Sequence, residues 1–235
     1  MSDSTGDDPN LKPLGESLSA AAKKSGFGAV EPGEAPSAGA LLQAMGGVRG
    51  LVESILPGLA FLVIYTFTKD LFLSVAIPVG LAVVFVIVRA ITKTPWTSAL
   101  AGVIGLALSA GLALITGRAE DNFVLGFVIN GAFLIALLIS IAVRWPLIGV
   151  IVSLIRSEGS AWRTDKAKFR VALIATILWS GLFALRLGVE LPLYFAENAA
   201  ALATLKLILG VPLYAGMLWV TWLLVRTVYA RPERS

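Results

Sequence analysis

The sequence predicts an all-α polytopic membrane protein with six transmembrane helices, one short re-entrant or interfacial segment and a disordered N-terminal tail. Three observations lead to this fold class. Apolar residues make up 57% of the 235 positions and charged residues only 14%, whereas a soluble domain carries about 25% charged residues. Long apolar stretches follow one another between Leu51 and Arg226. Lysine and arginine residues collect in every second gap between those stretches.

Three regions are expected along the chain. Residues 1–48 are predicted to be a polar, largely disordered cytoplasmic tail, because Ser, Gly, Pro and acidic residues dominate and little apolar surface is available for burial. Residues 49–228 form the predicted transmembrane helical domain, and residues 229–235 a short cytoplasmic tail. No secretory signal peptide is expected, since the first apolar stretch begins only near residue 51.

Each predicted crossing is an apolar run of roughly 20 residues, which spans about 30 Å as a helix. Pro78 and Gly80 are expected to kink the second crossing, and Pro212 and Gly216 to bend the sixth. The six predicted crossings are Leu51–Thr68, Leu71–Ile91, Trp96–Thr116, Asn122–Val143, Val171–Leu191 and Leu205–Val225.

The apolar segment Trp145–Ile155 is too short to cross a bilayer as a helix. If it crossed, the basic loop Arg156–Arg170 would lie outside and the charge asymmetry would largely vanish. The positive-inside rule therefore favours six crossings with both termini in the cytoplasm, in the cytoplasmic (inner) membrane of a bacterium. The outer loops then hold only two cations, Lys69 and Arg118, with Asp70, Glu120 and Asp121 beside them. The inner loops hold 12 cations: Arg49, Arg89, Lys93, Arg144, Arg156, Arg163, Lys166, Lys168, Arg170, Arg226, Arg231 and Arg234.

The missing residue types limit the chemistry. The chain has no Cys and no His, which excludes disulfides and thiolate sites and removes the commonest metal ligand and proton carrier. No GxSxG, HExxH, Walker or Asp-rich motif is present. We therefore expect no cofactor, no metal site and no enzymatic activity. The net charge of +4 indicates loops that contact anionic lipid, above all 156–170, rather than nucleic acid.

A charge inside the bilayer is costly and needs an explanation. Arg186 and Glu190 are four residues apart on one predicted helix, where they can pair. Lys206 is expected at the same depth on the next helix, with Glu197 in the loop between. Together they could form an outer vestibule that selects an ion or an anionic headgroup. The alternative is that they pair with one another and extend to the interface.

Three other polar residues are candidates. Glu53, near the inner end of the first crossing, is either a cation or proton site or an interfacial cap. Asn130, in the middle of the fourth crossing, either bonds a neighbouring helix or lines a pathway. Arg144 follows the fourth crossing and begins the most distinctive motif of the chain.

That motif is Arg144-Trp145-Pro146-Leu147, and Trp162-Arg163 before the fifth crossing accompanies it. With the apolar stretches around them, these residues resemble an actinobacterial family of membrane proteins with a domain of unknown function, over about Leu51 to Arg226. A more distant similarity runs to the intracellular septation protein A family, also called inner membrane-spanning protein. It shares a helix ending like Tyr65 to Asp70, and it implies a role near the cell envelope or division machinery.

Three functions remain open at this stage. The first is an envelope or septation-type scaffold, with protein partners or further copies of the chain. The second is a small ion or solute transporter or channel that uses the kinked crossings and the Arg186, Glu190 and Lys206 group. The third, a lipid-modifying membrane enzyme, has the least support because few carboxylates lie within the apolar stretches.

Overall fold

The computed structural model describes residues 47–92, 97–156 and 159–229. These ranges contain eight α-helices and two short 3₁₀ helices and no strand, which confirms the all-α class. The predicted disordered tail, apart from residues 47 and 48, and nearly all of the C-terminal tail lie outside the described residues. The helices are α1 Gly47–Thr68, α2 Leu71–Ile91, α3 Thr97–Thr116, α4 Val124–Ala142, α5 Leu147–Arg156, α6 Lys166–Phe195, α7 Ala199–Ile208 and α8 Val211–Tyr229.

Five segments are long and apolar enough to cross a membrane. They are α1, α2, the segment Ala119–Ala142 that contains α4, α6, and Ala199–Tyr229, which joins α7 and α8. Gly102–Thr116 of α3 and Leu147–Arg156 are shorter apolar helices. The chain is therefore a membrane protein with several spanning helices, and the sixth crossing, which would be α3, stays a prediction.

The helices present apolar side chains outward. Ile115 is 86% exposed, and Phe67, Ile91 and Phe195 are also largely exposed. Contiguous apolar surface of this kind is rare on soluble monomers and marks contact with lipid or protein. This surface therefore agrees with lipid hydrocarbon as the surrounding medium. It is not the surface of a water-soluble helical bundle, which has an apolar core and a polar exterior.

Helix α2 has the bounds that the sequence predicts. Its start is defined by Asp70, whose Oδ1 accepts a hydrogen bond from the Leu73 amide (3.0 Å). An aspartate at this position satisfies an amide that lacks a partner within the helix. The helix continues without interruption through the fully buried Pro78.

Helix α6 is longer than the predicted fifth crossing. It has 30 residues, from Lys166 to Phe195, and includes Pro192. Asp165 caps its start by accepting from the amides of Ala167 (2.8 Å) and Lys168 (3.2 Å). Most of the cations between Arg163 and Arg170 therefore lie on a helix, which corrects the prediction of a basic loop extending to Arg170.

The predicted sixth crossing is divided into two helices. Helix α7 ends at Ile208 and α8 begins at Val211, with Leu209 and Gly210 between them. Pro212 lies in the first turn of α8. Backbone N–H groups in a first turn have no acceptor within the helix, so the missing N–H of proline costs no helical hydrogen bond there. The predicted bend at Pro212 and Gly216 is thus a break just before Pro212, and α8 continues through Gly216.

The short apolar segment forms the ten-residue helix α5, Leu147–Arg156. Two hydroxyls satisfy its first amides: Ser140 Oγ accepts from Leu147 (3.2 Å) and Thr176 Oγ1 from Ile148 (3.3 Å). The predicted shortness is confirmed, whereas its re-entrant or interfacial position stays a prediction.

The described chain divides into two compact units. Unit 1 consists of residues 137–179 and 218–229, and unit 2 of residues 48–136 and 180–217. In unit 2, α2 packs against α3, and both α3 and α7 contact the 3₁₀ helix Ala119–Phe123. A core of Phe61, Val75, Phe123 and Leu202 holds these elements together.

Candidate functional site

Arg186 and Glu190 form a buried ion pair on α6, within unit 2. The side chains are one helical turn apart, and Arg186 Nη2 lies 3.2 Å from Glu190 Oε1. Arg186 is 6% exposed and Glu190 3%. The predicted pairing is confirmed. The predicted extension to the interface stays a prediction, because burial against protein does not fix the depth of either side chain in a bilayer.

A backbone carbonyl at the helix break also binds Arg186. Its Nη1 donates to the carbonyl oxygen of Leu209 (2.8 Å), the residue that follows α7. Its guanidinium carbon lies 5.4 Å from the ring centre of Tyr214 on α8. The carbonyls of a helix end have no partner within the helix, so they attract a cation. Arg186 thus connects α6 to both sides of the break.

Lys206 belongs to the same cluster. It lies in the last turn of α7 and is close enough to Glu190 and Arg186 for the three charges to interact. Its ammonium is 4.9 Å from the ring centre of Phe123, and a Cβ atom on Gly126 would lie 3.5 Å from Nζ. We call Arg186, Glu190 and Lys206 the buried charge cluster. It carries two cations and one carboxylate.

Two atoms of this cluster lack a hydrogen-bond partner within the described residues. They are Arg186 Nε, a donor, and Glu190 Oε1, which faces the guanidinium without hydrogen-bond geometry. A buried polar atom without a partner costs about 1–3 kcal/mol. The cluster therefore holds one donor without a hydrogen bond, Arg186 Nε, and one carboxylate oxygen whose contact with the guanidinium is electrostatic only.

Glu197, expected beside this cluster, is elsewhere in unit 2. It is exposed and pairs with Arg118 at 3.5 Å. A surface pair of this kind contributes little to stability. Glu197 is therefore removed from the set of cluster residues.

Glu53 forms a second charged group in unit 2. Its Oε2 lies 2.6 Å from Arg89 Nη2 of α2, and its Oε1 accepts from Arg49 Nε at 2.8 Å. The Glu53 side chain is 10% exposed. Glu53 thus links α1 to α2 through Arg89, while its predicted roles as an interfacial cap or as a cation or proton site stay predictions.

Asn130 and Arg144 are the two remaining candidates from the sequence. Asn130 is buried on α4, and its expected hydrogen bond to another helix stays a prediction. Arg144 belongs to unit 1, is exposed and has a positive φ of 56°. Its carbonyl accepts a hydrogen bond from Arg163 Nη2 (3.5 Å).

The two sequence motifs meet within unit 1. The guanidinium of Arg163 stacks 4.1 Å from the ring centre of Trp145. Trp162 is 1% exposed, and a Cβ atom on Gly149 would lie 2.6 Å from its ring. These tryptophans and arginines therefore hold the segment before α6 against α5, which is a structural role.

The sequence does not reveal a buried acidic element in unit 2. Glu120 and Asp121 are expected in an outer loop and Asn122 at the start of the fourth crossing, yet all three are buried in the 3₁₀ helix Ala119–Phe123. Tyr194 donates a hydrogen bond to Asp121 Oδ1 (2.7 Å). No signal in the sequence connects it with its partner, because Tyr194 lies 73 residues further along the chain.

The comparison with protein families gives a match over most of the chain. A family described as "Protein of unknown function (DUF3159)" matches residues 45–232. No curated protein and no solved structure matches the chain. The predicted similarity to a family of unknown function is confirmed, while the similarity to septation protein A and the actinobacterial origin stay predictions.

Proposed function

The chain belongs to the DUF3159 family of proteins of unknown function, and from this premise we propose that it moves a small anion across a membrane. The binding site is the buried charge cluster of Arg186, Glu190 and Lys206. The observation that carries the proposal is the grouping of two basic side chains with a single carboxylate beside a break in a membrane helix.

The free-energy cost of placing charged side chains within a membrane segment supports a functional role for the cluster. Charged side chains in membrane segments are rare and mark ion or substrate pathways. A buried ion pair can often be replaced by apolar residues with no loss of stability, so stability alone does not explain it. Lys206 adds a second cation that Glu190, already paired with Arg186, does not neutralise.

The helix break supports transport in particular. Transporters commonly bind their ions where a membrane helix is interrupted, because the ends of the two halves carry free backbone groups. Here Leu209 is in the break and Arg186 donates to its carbonyl. An anion held by Lys206 and Arg186 Nε would neutralise the cluster and satisfy the free donor.

A scaffold of the envelope or septation type is the second candidate. It is favoured by the internal pairing of Arg186 with both Glu190 and Leu209, as in a cluster that only joins helices. The basic segment before α6 and the N-terminal tail would then recruit protein partners or a second copy. No catalytic role is proposed under either candidate.

The location is part of the proposal. We place the chain in the bacterial cytoplasmic membrane with six crossings and both termini in the cytoplasm. The support is the asymmetry of cations, 12 on the inner side against Lys69 and Arg118 on the outer side.

The decisive experiment measures ion flux into liposomes that contain the purified full chain. We expect chloride or another small anion to enter faster than in protein-free liposomes. Lys206→Met and Arg186→Met remove one cation each at similar side-chain length and should reduce the flux at least tenfold. Lys166→Met removes an exposed cation from the start of α6 and should leave the flux unchanged.

Elution from a sizing column shows whether each variant remains folded. Flux equal to that of empty liposomes for chloride, phosphate, nitrate, potassium, sodium and protons would exclude transport of these ions and leave the scaffold. Selective cation flux would overturn the anion assignment while retaining transport. A Lys166→Met effect as large as that of Lys206→Met would separate the flux from the cluster.

A further inference from the structure

Asn130 of α4 carries a buried amide that makes no hydrogen bond within the described part of the chain. The residue is 6% exposed. Its amide atoms are not fully enclosed, in contrast to Arg186 Nε and Glu190 Oε1. A carboxamide has two N–H donors and one acceptor, and burying them without partners is unfavourable. Asn130 can therefore donate hydrogen bonds to a small ligand.

Two ring contacts define the level of Asn130 along α6. The ring centres of Phe127 and Tyr194 are 5.5 Å apart, and those of Phe133 and Phe183 are also 5.5 Å apart. Asn130 is three residues from each phenylalanine of α4 and lies on the same helix face. The ion pair of the buried charge cluster lies between the two partner residues on α6. The amide is therefore at the level of that ion pair.

Lys206 approaches the same face of α4. A Cβ atom on Gly126 would lie 3.5 Å from Lys206 Nζ, and Asn130 is one turn, about 5.4 Å, further along that face. Lys206 makes no hydrogen bond and no ion pair with the residues that the structure describes. Leu202 and Ala203, which precede it by four and three residues on α7, are almost fully buried. Its amino group therefore approaches α4 among apolar side chains.

On the basis of the proposed anion transport, we infer that Asn130 and Lys206 bind a monovalent, weakly hydrated anion, the class that nitrate and bromide represent. Arg186 is already paired with Glu190, so Lys206 supplies at most one further positive charge. A divalent anion would keep one negative charge without compensation in a buried position, which is strongly unfavourable.

The small number of donors selects against strongly hydrated anions. An anion that enters this apolar surrounding gives up most of its water and receives the N–H groups of one lysine and one amide. Fluoride and sulfate lose more hydration free energy than nitrate or bromide, and these few donors do not replace it. Asn130 contributes donors without adding charge, so the limit of one negative charge is retained.

The test measures initial rates of anion entry into liposomes that contain the full chain, corrected for protein-free liposomes. We expect nitrate and bromide to enter at least tenfold faster than sulfate and fluoride. Asn130→Leu replaces the amide by an apolar side chain of similar shape. It should raise the nitrate concentration at half-maximal flux about tenfold, as expected for one lost hydrogen bond to a charged ligand. The matched control is Thr204→Val, which removes an exposed hydroxyl two residues from Lys206 and should change neither quantity.

Calorimetric titration of the detergent-solubilised full chain with nitrate separates binding from transport. Nitrate should bind Asn130→Leu and Lys206→Met at least tenfold more weakly than the unaltered chain, and sizing-column elution verifies that the variants are folded. Nitrate binding without nitrate flux would overturn the proposed transport and retain the site. Sulfate entry as fast as nitrate entry, or equal nitrate binding by Asn130→Leu and Thr204→Val, would overturn the site while retaining transport.

Discussion

Trp162 is buried because the residue opposite it on α5 has no side chain. A methyl group on Gly149 would lie 2.6 Å from two Trp162 ring atoms and 2.7 Å from the Ala172 Cβ. Carbon atoms cannot approach so closely, and the indole is enclosed by Phe169, which stacks on it at 6.3 Å. One glycine thus determines whether α5 can pack against the segment before α6.

Gly149→Ala is therefore expected to destabilise the protein. Overpacking a filled site costs typically about 1–3 kcal/mol, and here the backbone of α5 or the indole must shift. The measurement is the melting temperature of the detergent-solubilised full chain. The matched control is Gly181→Ala on α6, where nothing lies within 4 Å of the added methyl group. An unchanged melting temperature for Gly149→Ala would contradict the packing described.

Single residues also show how far the sequence alone can lead. The pairing of Arg186 with Glu190 could be predicted, because residues four positions apart lie on the same face of a helix, one turn from each other. The contact between Glu53 and Arg89 could not, since it joins residues 36 positions apart on two helices. The burial of Asp121 could not be predicted for the same reason: its partner Tyr194 is 73 residues away.

At the scale of the element, the break between α7 and α8 depends on Gly210. A Cβ atom there would lie 2.5 Å from the carbonyl oxygen of Lys206, a backbone atom that cannot rotate away. Lys206 lies in the last turn of α7, and the carbonyl of Leu209, which follows that helix, binds Arg186. The geometry of the buried charge cluster is therefore linked to this glycine.

Gly210→Ala should disturb the break. We expect a lower melting temperature and faster backbone hydrogen exchange in residues 205–214, because the Leu209 carbonyl must move away from Arg186. Gly216→Ala, on α8 with nothing within 4 Å of the added methyl group, is the control and should change neither quantity. Identical exchange in the two variants would mean that the break does not need a glycine.

The elements themselves differ in how well the sequence predicts them. Helix α2 matches its predicted bounds because Asp70 is a strong helix-start signal next to a long apolar run. A bend near Pro212 is predicted, whereas the division of the apolar stretch into two helices at Leu209 and Gly210 is not, because two residues within a continuous apolar stretch do not alter the average hydropathy. The extension of α6 to Phe195 is not predicted either, because a proline such as Pro192 usually marks the end of a helix.

At the scale of the whole molecule, the orientation can be tested directly because the chain has no Cys. Ser160→Cys and Arg118→Cys each introduce one exposed thiol, on predicted inner and outer sides. In intact cells an impermeant maleimide should label Arg118→Cys only, and both after the membrane is opened. Labelling of Ser160→Cys from outside would overturn the predicted topology: labelling of both variants would mean that Trp145–Ile155 crosses, and labelling of Ser160→Cys alone would mean that the chain is inverted.

The outward apolar side chains have a consequence for how the sequence can vary. Liquid hydrocarbon has no shape to match, so Leu, Ile, Val and Phe are interchangeable at positions such as Ile115 and Phe67. Positions such as Gly149 and Gly210 do not tolerate a larger side chain, because closely packed protein atoms already lie where its Cβ would be. Among the described residues, the outward-facing apolar positions are thus constrained in polarity, whereas positions such as Gly149 and Gly210 are constrained in shape.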